Sequence, residues 1–456
     1  MGYVSSSGGY CSHSIFFAPE SLAKTETGRH LSAWTASSFV VASMIGTGVF
    51  TSLGYQLVDI QSVFPLMMLW IVGGIVALCG SLVYSELGTA FPRSGGEYHL
   101  LSRIIHPSIG FAAGIVSATV GFTAPAVLAA MALGSYLSAV TPGLDQTLIA
   151  AIVILGFHGL HMMSVKWGIK FQDGSTTIKI GLILIFIAFG LFMDAPQSIS
   201  IWPKVGDGAV LLSSGFAVSL VWVSYAYTGW NSAVYVAGEI HDPKQNISRS
   251  MLMGTAFVMV LYVLLNYVFL YSTPTDAIVG QVEVGYISGI RIFGEMGAKI
   301  IGLGISILLL STVSSYIYIG PRIMQVMGED YALIGFLKEK NSNNIPLNAF
   351  WVQLGISFLF ILTSSFEQVL MYAGISLIII TTLTVISLFI LRVNEPDLDR
   401  PYKVWAYPFT PMVYLIINCW ILYYSLKEST FESMVGIGII SISIALYYFI
   451  PALKKD

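Results

Sequence analysis

Apolar runs of roughly 20 residues recur along this chain, at about 33–56, 64–90, 108–139, 147–163, 172–193, 212–237, 249–272, 298–320, 346–364, 367–391, 404–426 and 432–452. A helix needs about 20 such residues to cross a hydrocarbon layer roughly 30 Å thick. The pattern therefore predicts an all-α polytopic membrane protein with about 12 transmembrane helices. The third run is long, and Gly114, Gly121 and Pro125 predict a tilt or kink within it. The fourth is short, with soft boundaries.

Two runs break their own pattern. In the first, Ser43-Met44-Ile45-Gly46-Thr47-Gly48-Val49-Phe50 places two glycines and a threonine at mid-membrane depth. Each Gly costs roughly 1 kcal/mol of helix propensity relative to Ala. Broken helices at that depth are tolerated where the freed backbone groups line a polar cavity; the alternative is a small-residue packing face. The sixth run repeats the anomaly at Ser224-Tyr225-Ala226-Tyr227-Thr228-Gly229-Trp230-Asn231. Runs one and six are five apart, an odd number, so two five-span halves cross the membrane with opposite topology. Interrupted spans at matching positions of inverted halves point to a transporter's midplane site. The halves are residues 31–193 and 212–391, followed by 392–456 with two further spans and a short carboxyl terminus. Residues 1–30 are polar, lack a signal-peptide core, and are expected to be a mobile cytoplasmic tail.

Composition agrees. The 456 residues are 55% hydrophobic and 10% charged, with mean hydropathy +0.79; soluble domains carry about 25% charged residues. The net charge of −3 suggests no nucleic-acid partner. Cys11, Cys79 and Cys419 are too scattered for a disulfide framework or metal site, and no cofactor is expected. With the amino terminus inside, sixteen Lys and Arg fall in inner segments and four (Lys204, Arg291, Lys299, Lys427) in outer ones. That positive-inside bias supports both the span count and cytoplasmic termini.

The break in run one suggests a ligand. A half-helix starting near Gly48 presents free N–H groups and a positive dipole end, which suit a carboxylate. Free carbonyls near Met44 and Ile45, and near Tyr225 and Ala226, suit an ammonium group. Together they match the two charged ends of an amino acid. Glu86, Glu97, Asp173 and Glu239 all read as lying near cytoplasmic span ends, so a strongly cationic substrate lacks an evident counter-charge. Lys179, about seven residues into run five, is the cation set well inside a span. It either snorkels to the inner face or stands in for a bound metal ion or a proton site. Ser311, Ser314 and Ser315 are its candidate neighbours, or else ordinary interhelical hydrogen-bonding groups. Tyr225 is a candidate cap over the substrate and Asn231 a candidate bridge to neighbouring spans; both also read as packed side chains. His158 and His161, at the inner end of run four, read as interfacial structural residues, with a proton relay as the alternative.

These motifs carry a family likeness. Met44-Ile45-Gly46-Thr47-Gly48-Val49-Phe50 resembles the first-span signature of the amino acid–polyamine–organocation (APC) superfamily. Tyr84-Ser85-Glu86-Leu87 with Phe91-Pro92-Arg93-Ser94-Gly95-Gly96-Glu97-Tyr98 resembles its second-span and first inner-loop motif. Tyr225 to Asn231, followed by Glu239 and Asp242-Pro243, resembles the sixth-span motif of the L-type branch. Arg400-Pro401-Tyr402-Lys403 with Tyr407-Pro408 and Thr410-Pro411 resembles the entry to the eleventh span. The likeness covers about residues 30–452. It implies a five-plus-five inverted-repeat fold with discontinuous helices 1 and 6, and alternating access. It implies substrate contacts at Met44, Ile45, Gly46, Thr47, Gly48, Tyr225 and Thr228, and an aromatic gate at Tyr225. It puts Lys179 where sodium sits in sodium-coupled relatives, facing Ser311, Ser314 and Ser315. Thr228 stands where the L-type motif commonly has Gly, which favours smaller substrates. The outer loop 141–146 lacks the cysteine that links animal L-type transporters to a heavy subunit, so no such covalent partner is expected.

The resulting expectation is a secondary active transporter of neutral amino acids in a bacterial inner membrane, working by sodium-independent exchange or proton symport. Inner gating is expected around Arg93, Glu97, Glu239 and Asn231. A cationic amino acid or polyamine antiporter and a transport-inactive sensor are the rivals. A membrane enzyme is disfavoured, since no nucleophile, metal cluster or phosphate loop shares a depth.

Overall fold

A computed structural model describes residues 31–163 and 166–449. The expected tail 1–30, with Cys11, and the terminal Lys454 and Lys455 lie outside the described residues, as do the side chains of Lys166, Lys170 and Asp173. The first helices are α1 (Ala33–Met44), α2 (Gly48–Asp59), α3 (Val63–Ala90), α4 (Gly96–Ile104), α5 (Pro107–Val116), α6 (Thr123–Val140), α7 (Gln146–Met163) and α8 (Lys166–Leu191). Then come α9 (Asp207–Leu211), α10 (Ser214–Tyr227), α11 (Ser232–Tyr235), α12 (Pro243–Ser272), α13 (Thr275–Ile278) and α14 (Val284–Asp330). The chain closes with α15 (Leu347–Thr363), α16 (Phe366–Asn394), α17 (Phe409–Glu428) and α18 (Thr430–Phe449).

Among the described residues, eight spans, with α5 and α6 taken together, are long and apolar enough to cross a membrane, and the pair α1 and α2, bent by 41°, makes a ninth. The shorter apolar helices Thr177–Leu191 and Leu347–Thr363, and the interrupted α10–α11, complete the twelve apolar runs. The kink expected in the third run is a π-helical turn at Ser117–Gly121. There the Thr123 hydroxyl donates to the Ala118 carbonyl at 2.9 Å, recovering an acceptor that the wider turn releases.

The two faces of the bundle are closed differently. On the face rich in Lys and Arg, Glu86 at the end of α3 is fully buried. Arg392 of α16 grips it with two hydrogen bonds, at 2.9 and 2.6 Å, and the Val404 amide donates to it at 2.7 Å. Arg400 stands 3.5 Å away and donates to the Glu395 and Leu398 carbonyls just past the end of α16. The Arg-Pro-Tyr-Lys motif thus ties the approach to α17 onto α3 and α16. At the opposite face Tyr55 of α2 stacks between Trp222 of α10 and Phe366 of α16, with ring centroids 4.4 and 6.0 Å apart. This aromatic stack ties α2, α10 and α16 together on that side.

Candidate functional site

The first break spans Ile45–Thr47, and two carbonyls beside it are met by side chains. The Tyr262 hydroxyl of α12 donates to the Met44 carbonyl at 2.6 Å. Lys179 of α8 donates through Nζ to the Ile45 carbonyl at 3.1 Å and to the Thr312 hydroxyl of α14 at 3.2 Å. On the other side of the break the first turn of α2 presents amide N–H groups that have no helical acceptor. Its dipole favours a negative group at that point.

The second break runs from Thr228 to Asn231. The Thr228 amide donates to the Tyr225 carbonyl at 3.0 Å, and its hydroxyl to the Ser224 carbonyl at 3.2 Å. Two glycines lock the breaks together. A methyl group on Gly48 would sit 2.5 Å from the Ala226 Cα. Gly229 has φ of 107°, and a methyl group there would sit 2.7 Å from the Ser43 carbonyl carbon and oxygen. Only glycine combines that backbone angle with that approach.

A cavity of 160 Å³ opens beside the paired breaks. Of the eight candidate substrate residues, Ile45, Gly46, Tyr225 and Thr228 line it. Met44, Thr47, Gly48 and Ala226 stand behind the wall: Met44 and Thr47 are buried, and Gly48 and Ala226 face each other. The Thr47 hydroxyl lies 3.5 Å from that of Tyr225, so it braces the aromatic ring.

The lysine is 7% exposed, so it is held inside the bundle and does not snorkel. Of its candidate neighbours Ser315 lines the cavity and Ser311 is buried, whereas Ser314 bonds His161 Nε2 at 3.0 Å. Thr312, which the sequence reading passed over, holds the ammonium group. His158 and His161, near the inner end of α7, are 0% and 1% exposed. Phe350 of α15 and Tyr318 of α14 pack on their rings, so the inner end of α7 is covered by protein.

Glu97, expected among the inner gating residues, lines the same cavity as Ile45 and Lys179 and is 2% exposed. Its carboxylate accepts hydrogen bonds from Tyr84 at 3.0 Å, from the Asn231 amide and from the Tyr235 hydroxyl. Tyr84 is on α3, while Asn231 and Tyr235 belong to the second break and α11. Of the other candidate gating residues, Arg93 is exposed. Glu239 is buried, and its backbone carbonyl accepts from the Leu31 amide at 3.0 Å.

A family profile described as Amino acid permease matches residues 31–450, the whole helical body. The chain belongs to the amino acid permease family. It is thereby a polytopic integral membrane protein of the APC superfamily, and its function is that of an amino acid permease. The permease is 24% identical over 432 residues to the Large neutral amino acids transporter small subunit 2 of Mus musculus, covering 91% of this chain and 79% of that protein. It is 25% identical over 423 residues to the Serine/threonine exchanger SteT of Bacillus subtilis, covering 91% and 94%. Identity to the b(0,+)-type amino acid transporter 1 of Mus musculus is 25% over 395 residues, covering 84% and 80%.

Proposed function

We propose that this permease exchanges amino acids, neutral ones among them, by sodium-independent alternating access. The observation that carries the reading is the lysine at the break. An ammonium group held by the Ile45 carbonyl and the Thr312 hydroxyl occupies a site of hard oxygen donors. Oxygen donors of that kind are what an alkali cation would need. A fixed cation there supports transport without sodium, and it ties the charge of Lys179 to the backbone of the substrate site.

In this reading the substrate carboxylate meets the N–H groups at Gly46, Thr47 and Gly48. Its ammonium group meets carbonyls of the two breaks, and Tyr225 caps it. Met44 and Ala226 shape the site from behind. Residues 31–193 and 212–391 are the inverted halves. Glu97, Asn231, Arg93 and Glu239 belong to the inner gate, with Ser311, Ser314 and Ser315 supporting α14 near Lys179. The basic face is the cytoplasmic one, both termini lie there, and the membrane is a bacterial inner membrane. No disulfide-linked subunit is expected through loop 141–146, where relatives of the animal L-type branch carry a cysteine. No enzymatic step is assigned.

The test is uptake of radiolabelled amino acids into proteoliposomes in sodium-free buffer. Vesicles are empty or preloaded, with or without an inward proton gradient. Exchange predicts uptake only into preloaded vesicles. Gradient-driven uptake into empty vesicles, lost in Lys179→Ala, would instead make the lysine a proton-coupling group. Absence of uptake under every condition refutes the reading.

A further inference from the structure

Gln353 of α15 is fully buried, yet it does not line the cavity. Its amide Nε2 donates to the Tyr316 carbonyl of α14 at 3.1 Å. In an α-helix that carbonyl already accepts from the N–H four residues on, so the amide is a second donor inserted into the helical ladder. Its Oε1 makes no hydrogen bond of its own among the described residues. A buried amide met on one side only is a cost to folding. A methionine of similar length would fill the same space without that cost. Stability alone therefore does not account for a glutamine at this position.

What the amide reaches is the back of the cavity wall. Tyr316 lines the cavity, as does Phe122 at the end of the π-helical turn, and their ring centroids lie 6.1 Å apart. Gly320, one turn beyond Tyr316, makes the approach possible: a methyl group there would sit 2.3 Å from Gln353 Nε2 and 3.4 Å from the Phe122 Cβ. The next residue is Pro321, which has no N–H to give to the Ile317 carbonyl. Helices bend where a side chain enters the ladder or a proline interrupts it. The inserted amide, the bare glycine and the proline thus converge on the turn of α14 that carries Tyr316.

We propose that Gln353 is a positioning residue for transport: it holds this turn of α14 at the angle that sets the Tyr316–Phe122 wall, and so tunes how tightly the cavity takes a substrate that Gln353 never touches. The proposal rests on the reading of this cavity as the substrate site and adds a residue outside it. Without the inserted donor the ladder of α14 closes up at Tyr316, and the ring moves with its backbone. Binding then changes while folding does not suffer.

The test separates affinity from stability. Uptake of labelled amino acid into preloaded proteoliposomes is measured against concentration, and melting in detergent is followed on the same preparations. Gln353→Met is expected to melt no earlier than the wild type. It is expected to raise the half-saturating concentration at least about fivefold, on the scale of mutations that act without touching the ligand, and to leave the maximal rate within about twofold. Gly320→Ala pushes the same amide aside and is expected to give a similar rise; it carries the test if Gln353→Met is not recovered folded. The double variant is expected to give no more than the larger single rise, since both changes remove one bond. Tyr316→Ala reports on the cavity itself. A Gln353→Met protein that melts earlier with unchanged half-saturation shows a merely structural role and overturns the proposal, as does full additivity of the two changes. A shift in Tyr316→Ala without one in Gln353→Met overturns the proposal and leaves the cavity reading intact. No shift in Tyr316→Ala strikes the cavity reading, and no uptake by the wild type strikes the transport reading, each taking the proposal with it.

Discussion

Replacing Gly48 by alanine tests whether the two breaks form one site. The added methyl carbon would stand 2.5 Å from the Ala226 Cα and 2.6 Å from its Cβ. Carbon atoms rest about 3.5–4.0 Å apart, so the two segments must part by about 1 Å. Neither opposing atom ends a flexible side chain, so the strain falls on backbone. Overpacking of this kind costs about 1–3 kcal/mol, and the gain in helix propensity, at most about 1 kcal/mol, offsets part of it. Gly46→Ala is the control, because no atom lies within 4 Å of its new methyl carbon. Melting in detergent and half-saturating substrate concentration in proteoliposomes would be measured for both. Gly48→Ala is expected to melt earlier and to raise the half-saturating concentration by an order of magnitude or more, the scale on which about 1 Å matters in a preorganised site. Gly46→Ala, which points into the cavity, is expected to melt like the wild type and to alter substrate affinity alone. A Gly48→Ala protein unchanged in both measurements, or a Gly46→Ala protein that is the less stable of the two, would refute the interlocked geometry.

Three further outcomes follow from single contacts. Tyr262→Phe leaves the Met44 carbonyl without its 2.6 Å donor, and a buried acceptor left unpaired costs about 1–3 kcal/mol; an unchanged melting temperature would show that another group takes over. Thr228→Gly removes a methyl and a hydroxyl from the cavity wall, so competition assays should show bulkier side chains accepted, and an unaltered profile would count against a size filter at this position. His99, in α4 on the basic face, is pushed down to about 4 by burial and then by the nearby charges of Arg93 and Arg103. An unfolded histidine takes its proton near 6.5, so the folded protein should lose stability as pH falls from about 6.5 toward 4. His99→Gln should flatten part of that slope in melting curves, and an identical slope would exclude this residue as a source.

The breaks were legible because glycine and polar residues at membrane depth are costly wherever a continuous helix would serve, and both stretches stand against an apolar background. The spans themselves were legible as apolar runs, including the shorter Leu347–Thr363 and the interrupted α10–α11. What the sequence hid was orientation around each helix. Thr312 and Ser314 are two positions apart on α14, about 200° around a helix, so one meets Lys179 and the other His161. Nothing in a list of hydroxyl residues says which. Tyr262 looked like any aromatic residue in an apolar run, since its value lies in one hydroxyl reaching a carbonyl 218 positions away. That the Glu97 side chain turns into the cavity was hidden in the same way. The turn at Gly95 and Gly96 folds that segment back under the bundle, a geometry that hydropathy does not encode. The glycines were visible in the motif, and their paired positive φ is the signal that would have marked the reversal.

The paired glycine seats have a mechanical consequence. Two rods touching at a single point can roll over one another. Here Gly48 rests on Ala226 and Gly229 rests on Ser43, on either side of one gap. Rolling or sliding would drive backbone into backbone at one seat or the other. The two broken helices are thus pinned into a single clasp. The Tyr55–Trp222–Phe366 stack and the Glu97 cluster join that clasp to the helices around it.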